Sequence, residues 1–181
     1  LLIILSLAPY GLNIDCVIEN LNEENGDLSQ KGFKSYPHKK LYNLFLEELT
    51  DHTKNSIKTP YISEVHDWHK EILEISKTSF ASGVGELGIG NELVVPQIYQ
   101  NILKGLNTSK KFSKRAIFFF ELHSECDVKH SEDFINISIK ISNKYENLRD
   151  LNNGVKKMLF LREKFCDKIL MNFNEKNRNY I

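Results

Sequence analysis

The sequence predicts an all-α bundle of about seven helices, and three observations carry that reading. Apolar residues recur at helical period over long stretches, alternating β-branched runs are few, and 181 residues contain four prolines. With 41% hydrophobic and 27% charged residues, one globular domain over 1–181 is expected.

Residues 1–7 and 15–24 read as the first two helices, with Pro9, Gly11 and Gly26 as punctuation. The chain opens on Leu rather than Met, which is compatible with a sequence shortened at its start and a further helix in front. Residues 26–37 read as a loop. Pro37 suits a first helical turn, and Leu41, Leu44, Phe45 and Leu49 follow at helical spacing, so a helix is expected over 37–49. A polar linker over 51–60 leads into a helical pattern over 63–87. That pattern meets Gly83, Gly85, Gly88 and Gly90, a cluster that signals close packing, a kink or access for a ligand. The chain resumes through Glu92, Val95, Ile98, Tyr99 and Ile102 with Pro96 inside the pattern, which predicts a bent or interrupted helix ending near Gly105. Two longer helices are expected over 113–143 and 150–173.

Charge excludes several functions. Lys+Arg and Asp+Glu both count 24, so no net field holds a polyanion, and neither nucleic acid nor an acidic membrane surface is an expected partner. The longest apolar run, 1–9, is broken by Ser6 and is too short for a bilayer core of about 30 Å. It has no basic flank, so it does not read as a signal peptide. Three cysteines without C-x-x-C spacing argue against a disulfide framework and a thiolate zinc site, and a reducing cytoplasm is the expected compartment.

The chemistry concentrates in Phe118-Phe119-Phe120-Glu121-Leu122-His123-Ser124-Glu125-Cys126-Asp127-Val128-Lys129-His130. At 100° per residue, His123, Asp127 and His130 fall at about 0°, 40° and −20°, one narrow stripe offering two imidazoles and a carboxylate to a metal. Glu121 and Glu125 fall on the far side, where a solvated role is expected. The spacing differs from the E-x-x-H pairs of ferritin-like bundles. Helical His and Asp also stand on wet faces, so the stripe alone leaves ligand and surface roles open.

Beside these residues stand other elements. They are Asn20-Leu21-Asn22-Glu23-Glu24-Asn25-Gly26-Asp27, then His38 with Leu41-Tyr42 and Phe45-Leu46, and Gly85-Glu86-Leu87-Gly88-Ile89-Gly90-Asn91-Glu92 with Val95-Pro96 and Tyr99. The closing helix carries Gly154 to Arg162 and Phe165. Over almost its whole length the chain resembles the haem-oxygenase-like, iron-containing redox enzymes, also called haem-oxygenase-like di-iron oxidases. The likeness is to that family's N-L-x-x-E-x-G-x, H-x-x-L/M-F/Y, G-x-x-x-E-x-x-x-P-x-x-Y, F-x-x-H-x-x-x-D-x-x-H and G-x-x-x-x-L-x-x-R-x-x-F elements.

The resemblance implies a haem-oxygenase-like helical bundle and six metal ligands: Glu24, His38, Glu92, His123, Asp127 and His130. Glu23 adjoins Glu24 and could take its place, since the loop before His38 fixes no register. Three carboxylates and three imidazoles suit iron or manganese better than thiolate-bound zinc. The implied cofactors are two Fe ions cycling between Fe2+ and Fe3+, with a Mn/Fe pair as the variant and O2 as co-substrate. Three carboxylates against two divalent ions leave room for a hydroxide or peroxide bridge. The resemblance further implies an O2-dependent oxidase or oxygenase acting on a small organic substrate, whether amino acid, amine or fatty-acid-like. An external electron donor and a homodimer are compatible partners. Two alternatives remain: a metal-free thiaminase-like or cofactor-oxidising relative, and a non-catalytic helical interaction protein.

Other residues have plainer readings. Glu64, His66, Asp67 and His69 read as a surface face, and Trp68 as a packing anchor. Phe118 to Phe120 read as core, with one of them able to line the pocket. Tyr36, Tyr42 and Tyr99 lie near ligand positions and read first as packing. Cys126 flanks the stripe as a buried neutral thiol. Lys39, Lys40 and Lys129 are expected in solvent. Arg162 is read first as structural, with a buried acid or a substrate carboxylate as its partner.

Overall fold

A computed structural model describes residues 1–26, 32–53 and 63–178. Its described elements are α1 (Leu2–Ser6), α2 (Asp15–Glu24), a 3-10 turn (Gly32–Ser35), α3 (His38–Thr53), α4 (Ser63–Ser76), α5 (Phe80–Gly83), a π segment (Val84–Glu92), α6 (Val95–Ser109), α7 (Lys114–Ile141) and α8 (Tyr145–Arg178). Counting 80–109 as one interrupted helix, the described residues form seven helices, the all-α bundle expected. Most of the 51–60 linker and residues 27–31 of the expected loop lie outside the described residues.

The helical period over 63–87 does not continue as one helix. Ser79 breaks it: its hydroxyl oxygen accepts from the Ser82 N–H at 3.1 Å and its O–H donates to Asp150 Oδ2 at 2.9 Å. A cap satisfies the orphan donors of a new helix start, so α4 ends and α5 begins with a changed axis. The glycine cluster then forms the π segment, where i→i+5 bonding admits an extra residue per turn. Pro96 lies in the first turn of α6, where its missing N–H costs nothing, so it starts a helix rather than kinking one. Gly105 lies inside α6, which runs on to Ser109.

Two glycines explain why the π segment stays against α8. A Cβ on Gly85 would overlap the Leu151 carbonyl, and one on Gly154 would overlap the Ser82 carbonyl. The two backbones therefore touch directly. The main core cluster lies beside this contact and joins Ile4, Val17, Val84, Phe134, Ile137 and Leu151 from five elements.

α7 is the central element, packed against α2, α3, α6 and the π segment. Ser113 caps it, accepting from the Ala116 N–H at 3.2 Å. Glu48 of α3 in turn receives the Ser113 N–H and O–H, each at 2.6 Å. α3 and α7 run antiparallel from that clasp. Phe45 meets Phe120 at 4.9 Å between ring centroids, Tyr42 meets Phe119 at 5.1 Å, and His38 meets His123 at 4.4 Å. Ten residues along each helix, about 15 Å, separate clasp from imidazoles, so equal rise brings the two rings to the same level, where they meet edge to face. No helix among the described residues is long and apolar enough to cross a membrane.

Candidate metal centre

Glu23 and Glu24 are the last two residues of α2, and His38 is the first of α3. The chain between them returns through Gly26, at φ +94°, where a Cβ would come within 2.8 Å of both Pro37 N and Ser35 O. Glycine is required twice there, for the left-handed backbone and for the close approach. The turn sets Glu24 Oε1 3.1 Å from His38 Nδ1. The helix dipole reinforces the arrangement: carboxylates at a helix C-terminus sit in negative potential and favour a cation.

His123, Asp127 and His130 are buried on one face of α7, as the stripe predicts, and Glu121 and Glu125 are exposed. The six expected residues fall into two adjoining groups. Glu24, His38 and His123 bring one donor atom each within 4.8 Å of one another. Asp127 and His130 form the second group, with His130 Nδ1 3.5 Å from Asp127 Oδ1 and 3.8 Å from Glu92 Oε2. Cys126, rather than Glu92, is the third member of its tightest cluster. The Cys126 S–H donates to Asp127 Oδ1 at 3.3 Å, and burial pushes its thiol far above the usual range, so it stays a neutral donor.

Hydrogen bonds fix which ring nitrogens face inward. His123 Nδ1–H donates to the Phe119 carbonyl at 2.7 Å, leaving Nε2 with its lone pair. His130 Nε2 is taken by Glu23 Oε2 at 2.9 Å, so Nδ1 is turned toward Asp127 and Glu92. The two adjacent carboxylates serve different imidazoles, and Lys129 lies 3.9 Å beyond Glu23.

The electrostatics describe a pocket short of positive charge. Burial disfavours a proton on His130, but Asp127, Glu92 and Glu23 outweigh it and raise the imidazole to about 10. Burial, with the Asp127 charge, raises the Glu92 carboxyl, while burial lowers His123. For Glu24, burial works upward, but His38 and the charges of His123 and His130 bring its carboxyl below the ordinary value.

These residues fit a metal. The Nδ1 atoms of His38 and His130 are buried with no hydrogen bond, although carboxylate oxygens stand within ion-pair distance. An imidazole nitrogen beside a carboxylate but off hydrogen-bond alignment is poorly satisfied, and a cation between them would satisfy both. The donor set of carboxylates and imidazoles is that of iron or manganese.

A cavity of about 310 Å³ opens onto Glu24, Glu92, His123 and Asp127. Its other wall includes Trp68, Tyr99 and Arg162, residues read from sequence as packing or structural. Phe119 packs at 4.2 Å from the His123 ring and Tyr99 at 5.7 Å, so aromatic faces shield that imidazole. His66 and His69 are exposed on α4, as expected.

Fold and site together define an all-α bundle that turns buried carboxylates and imidazoles inward from helices meeting on α7. The chain matches the model of the iron-containing redox enzyme family over residues 3–163 and belongs to that family, so it is an oxidoreductase of the iron-containing kind. Comparison with curated proteins and with solved structures returns no match.

Proposed function

We propose that the protein is a non-haem di-iron oxidase or oxygenase that uses O2 to oxidise a small organic molecule, an amino acid, amine or fatty-acid-like compound. Glu24, His38 and His123 would hold one ion, and Glu92, Asp127 and His130 the other. When bound, reduced iron supplies O2 binding and the electrons for its activation. The reading rests on one observation above others: two buried imidazole nitrogens, on separate helices, face carboxylates without a hydrogen bond.

The chain's own residues supply geometry and exclusion of water. The Phe119 carbonyl holds the His123 ring and Glu23 holds the His130 ring, each leaving the opposite nitrogen free to bind. Phe119 and Tyr99 pack against the His123 ring and shield its faces from water, with Phe120 behind Tyr99. The cavity beside the ligands is the substrate space, and an external donor would return electrons between turnovers. Metal analysis tests the reading. Protein loaded with ferrous iron should retain about two ions per chain, and His123→Ala should lose iron while keeping its helical signal. Protein that takes up no iron overturns it.

A further inference from the structure

Beside the ligands, the same cavity is lined by Arg162, Trp68 and Tyr99, which bring hydrogen-bond donors. Arg162, on α8, donates through Nη2 to the Asn91 side-chain carbonyl, and its Nε is buried without a partner. Its guanidinium lies over the Trp68 ring at 5.3 Å, and Trp68 Nε1 is also buried without a partner. Among the described residues no carboxylate forms an ion pair with Arg162. Tyr99 makes ring contacts but no hydrogen bond there, and burial raises its phenol to about 12, so it remains a donor at ordinary pH.

Guanidinium and indole have donors only, so they cannot satisfy one another. A half-buried guanidinium whose Nε has no partner and whose hydrogen bond goes to a neutral amide is a costly arrangement that an anion would relieve. Trp68, Val95 and the Tyr99 ring supply apolar surface to the lining of the same cavity. The charge budget limits the anion: one guanidinium balances a single negative charge, and the carboxylates across the cavity repel a second.

We infer that the cavity binds a small organic monocarboxylate, its carboxylate on Arg162 with Trp68 and Tyr99 as further donors, and its apolar body directed toward the metal ligands. This deepens the proposed oxidase reading, on which it rests only for the claim that the bound molecule is the one oxidised. Arg162 is thus a specificity residue, and its partner is the ligand.

Binding to metal-free protein tests this apart from any redox activity. Trp68 is the single tryptophan of the chain and lies under the guanidinium, so its fluorescence reports occupancy. Titration with hexanoate should give a saturable change, with hexanamide and hexyl phosphate each at least about tenfold weaker, the scale of a charge-assisted hydrogen bond. Arg162→Gln should abolish the preference for hexanoate over hexanamide, and Arg162→Lys should restore part of it. Equal binding of acid and amide by the native protein overturns the inference, as does tighter binding of the phosphate, or hexanoate binding that Arg162→Gln leaves unchanged. Absence of any saturable change overturns it too. Because no metal takes part, failure here with normal iron loading removes the substrate class and leaves the oxidase reading standing. Normal hexanoate binding without iron uptake does the reverse.

Discussion

The two groups of the centre are assembled by different means. Asp127 and His130 share a stripe of α7, and helical geometry alone brings them together. Glu24 and His38 lie at the end of one helix and the start of the next, and they meet where the Gly26 backbone packs directly against Ser35 and Pro37. One group rests on a period repeated along a long helix; the other rests on the backbone conformation of one residue. The α7 group should therefore survive local damage that separates Glu24 from His38.

Gly26→Ala is the strongest way to break this comparison. The new Cβ would meet the backbone at Pro37 N and Ser35 O, atoms that cannot move aside as a side-chain tip can. With the positive φ, the expected cost is about 1–3 kcal/mol, relieved by opening the turn and separating Glu24 from His38. Iron content should fall to half while the α7 group keeps its share, as read by elemental analysis beside a thermal melt. A variant that keeps its full iron would show that the turn does not hold the first group.

Glu23→Gln sharpens the comparison from the other side. A carboxylate on the far nitrogen of a ligating imidazole fixes the tautomer and raises basicity, and its loss typically costs about 10–100-fold in metal affinity. Competition against a chelator should show that loss for one of two bound ions, the one His130 would hold, with the other unchanged. Equal weakening of both would mean that Glu23 acts through α2 rather than through His130.

What the sequence reveals follows the same division. The α7 stripe is legible because i, i+4 and i+7 face one way on any helix, whatever packs against it. Asp15–Glu24 is legible for a similar reason, its period and flanking breakers being local. The interruption at Ser79 is not, since its hydroxyl donates to Asp150, a residue distant in sequence, and helical period has no record of that contact. The role of Glu23 is likewise hidden: whether a residue beside Glu24 reaches His130 depends on how α2 lies against α7. Arg162 and Trp68 read as structural because the shortage of acceptors around them exists only once α4, α8 and the π segment are together. The glycines pointed to close packing, which Gly85 against Leu151 and Gly88 against Phe134 bear out, but not to the i→i+5 bonding itself.

The π segment holds a smaller contrast, between two glutamates of one element. Glu92 faces His130, whereas Glu86 is fully buried and meets a single hydrogen-bond donor, Ser76 Oγ at 2.7 Å, its other oxygen unpartnered. Burial raises Glu86 to about 7, with the Ser76 hydrogen bond only partly opposing it. The folded protein thus binds this proton more tightly than the unfolded chain does. Its contribution to stability is fully present below the unfolded value of about 4.5 and is lost as pH rises through about 7. Glu86→Gln keeps the shape and an acceptor for Ser76 but has no proton to lose. In chelator-treated protein, denaturant melts at pH 5 and pH 8 should therefore show native protein losing more stability than the variant. The difference should approach about 2.5 kcal/mol, most of the full shift, since pH 5 lies just above the unfolded value. Because both proteins carry the same histidines, that difference isolates Glu86. Parallel pH profiles would mean that the carboxyl ionises in place, with water reaching the π segment, and the contrast with Glu92 would then be one of partners rather than of burial.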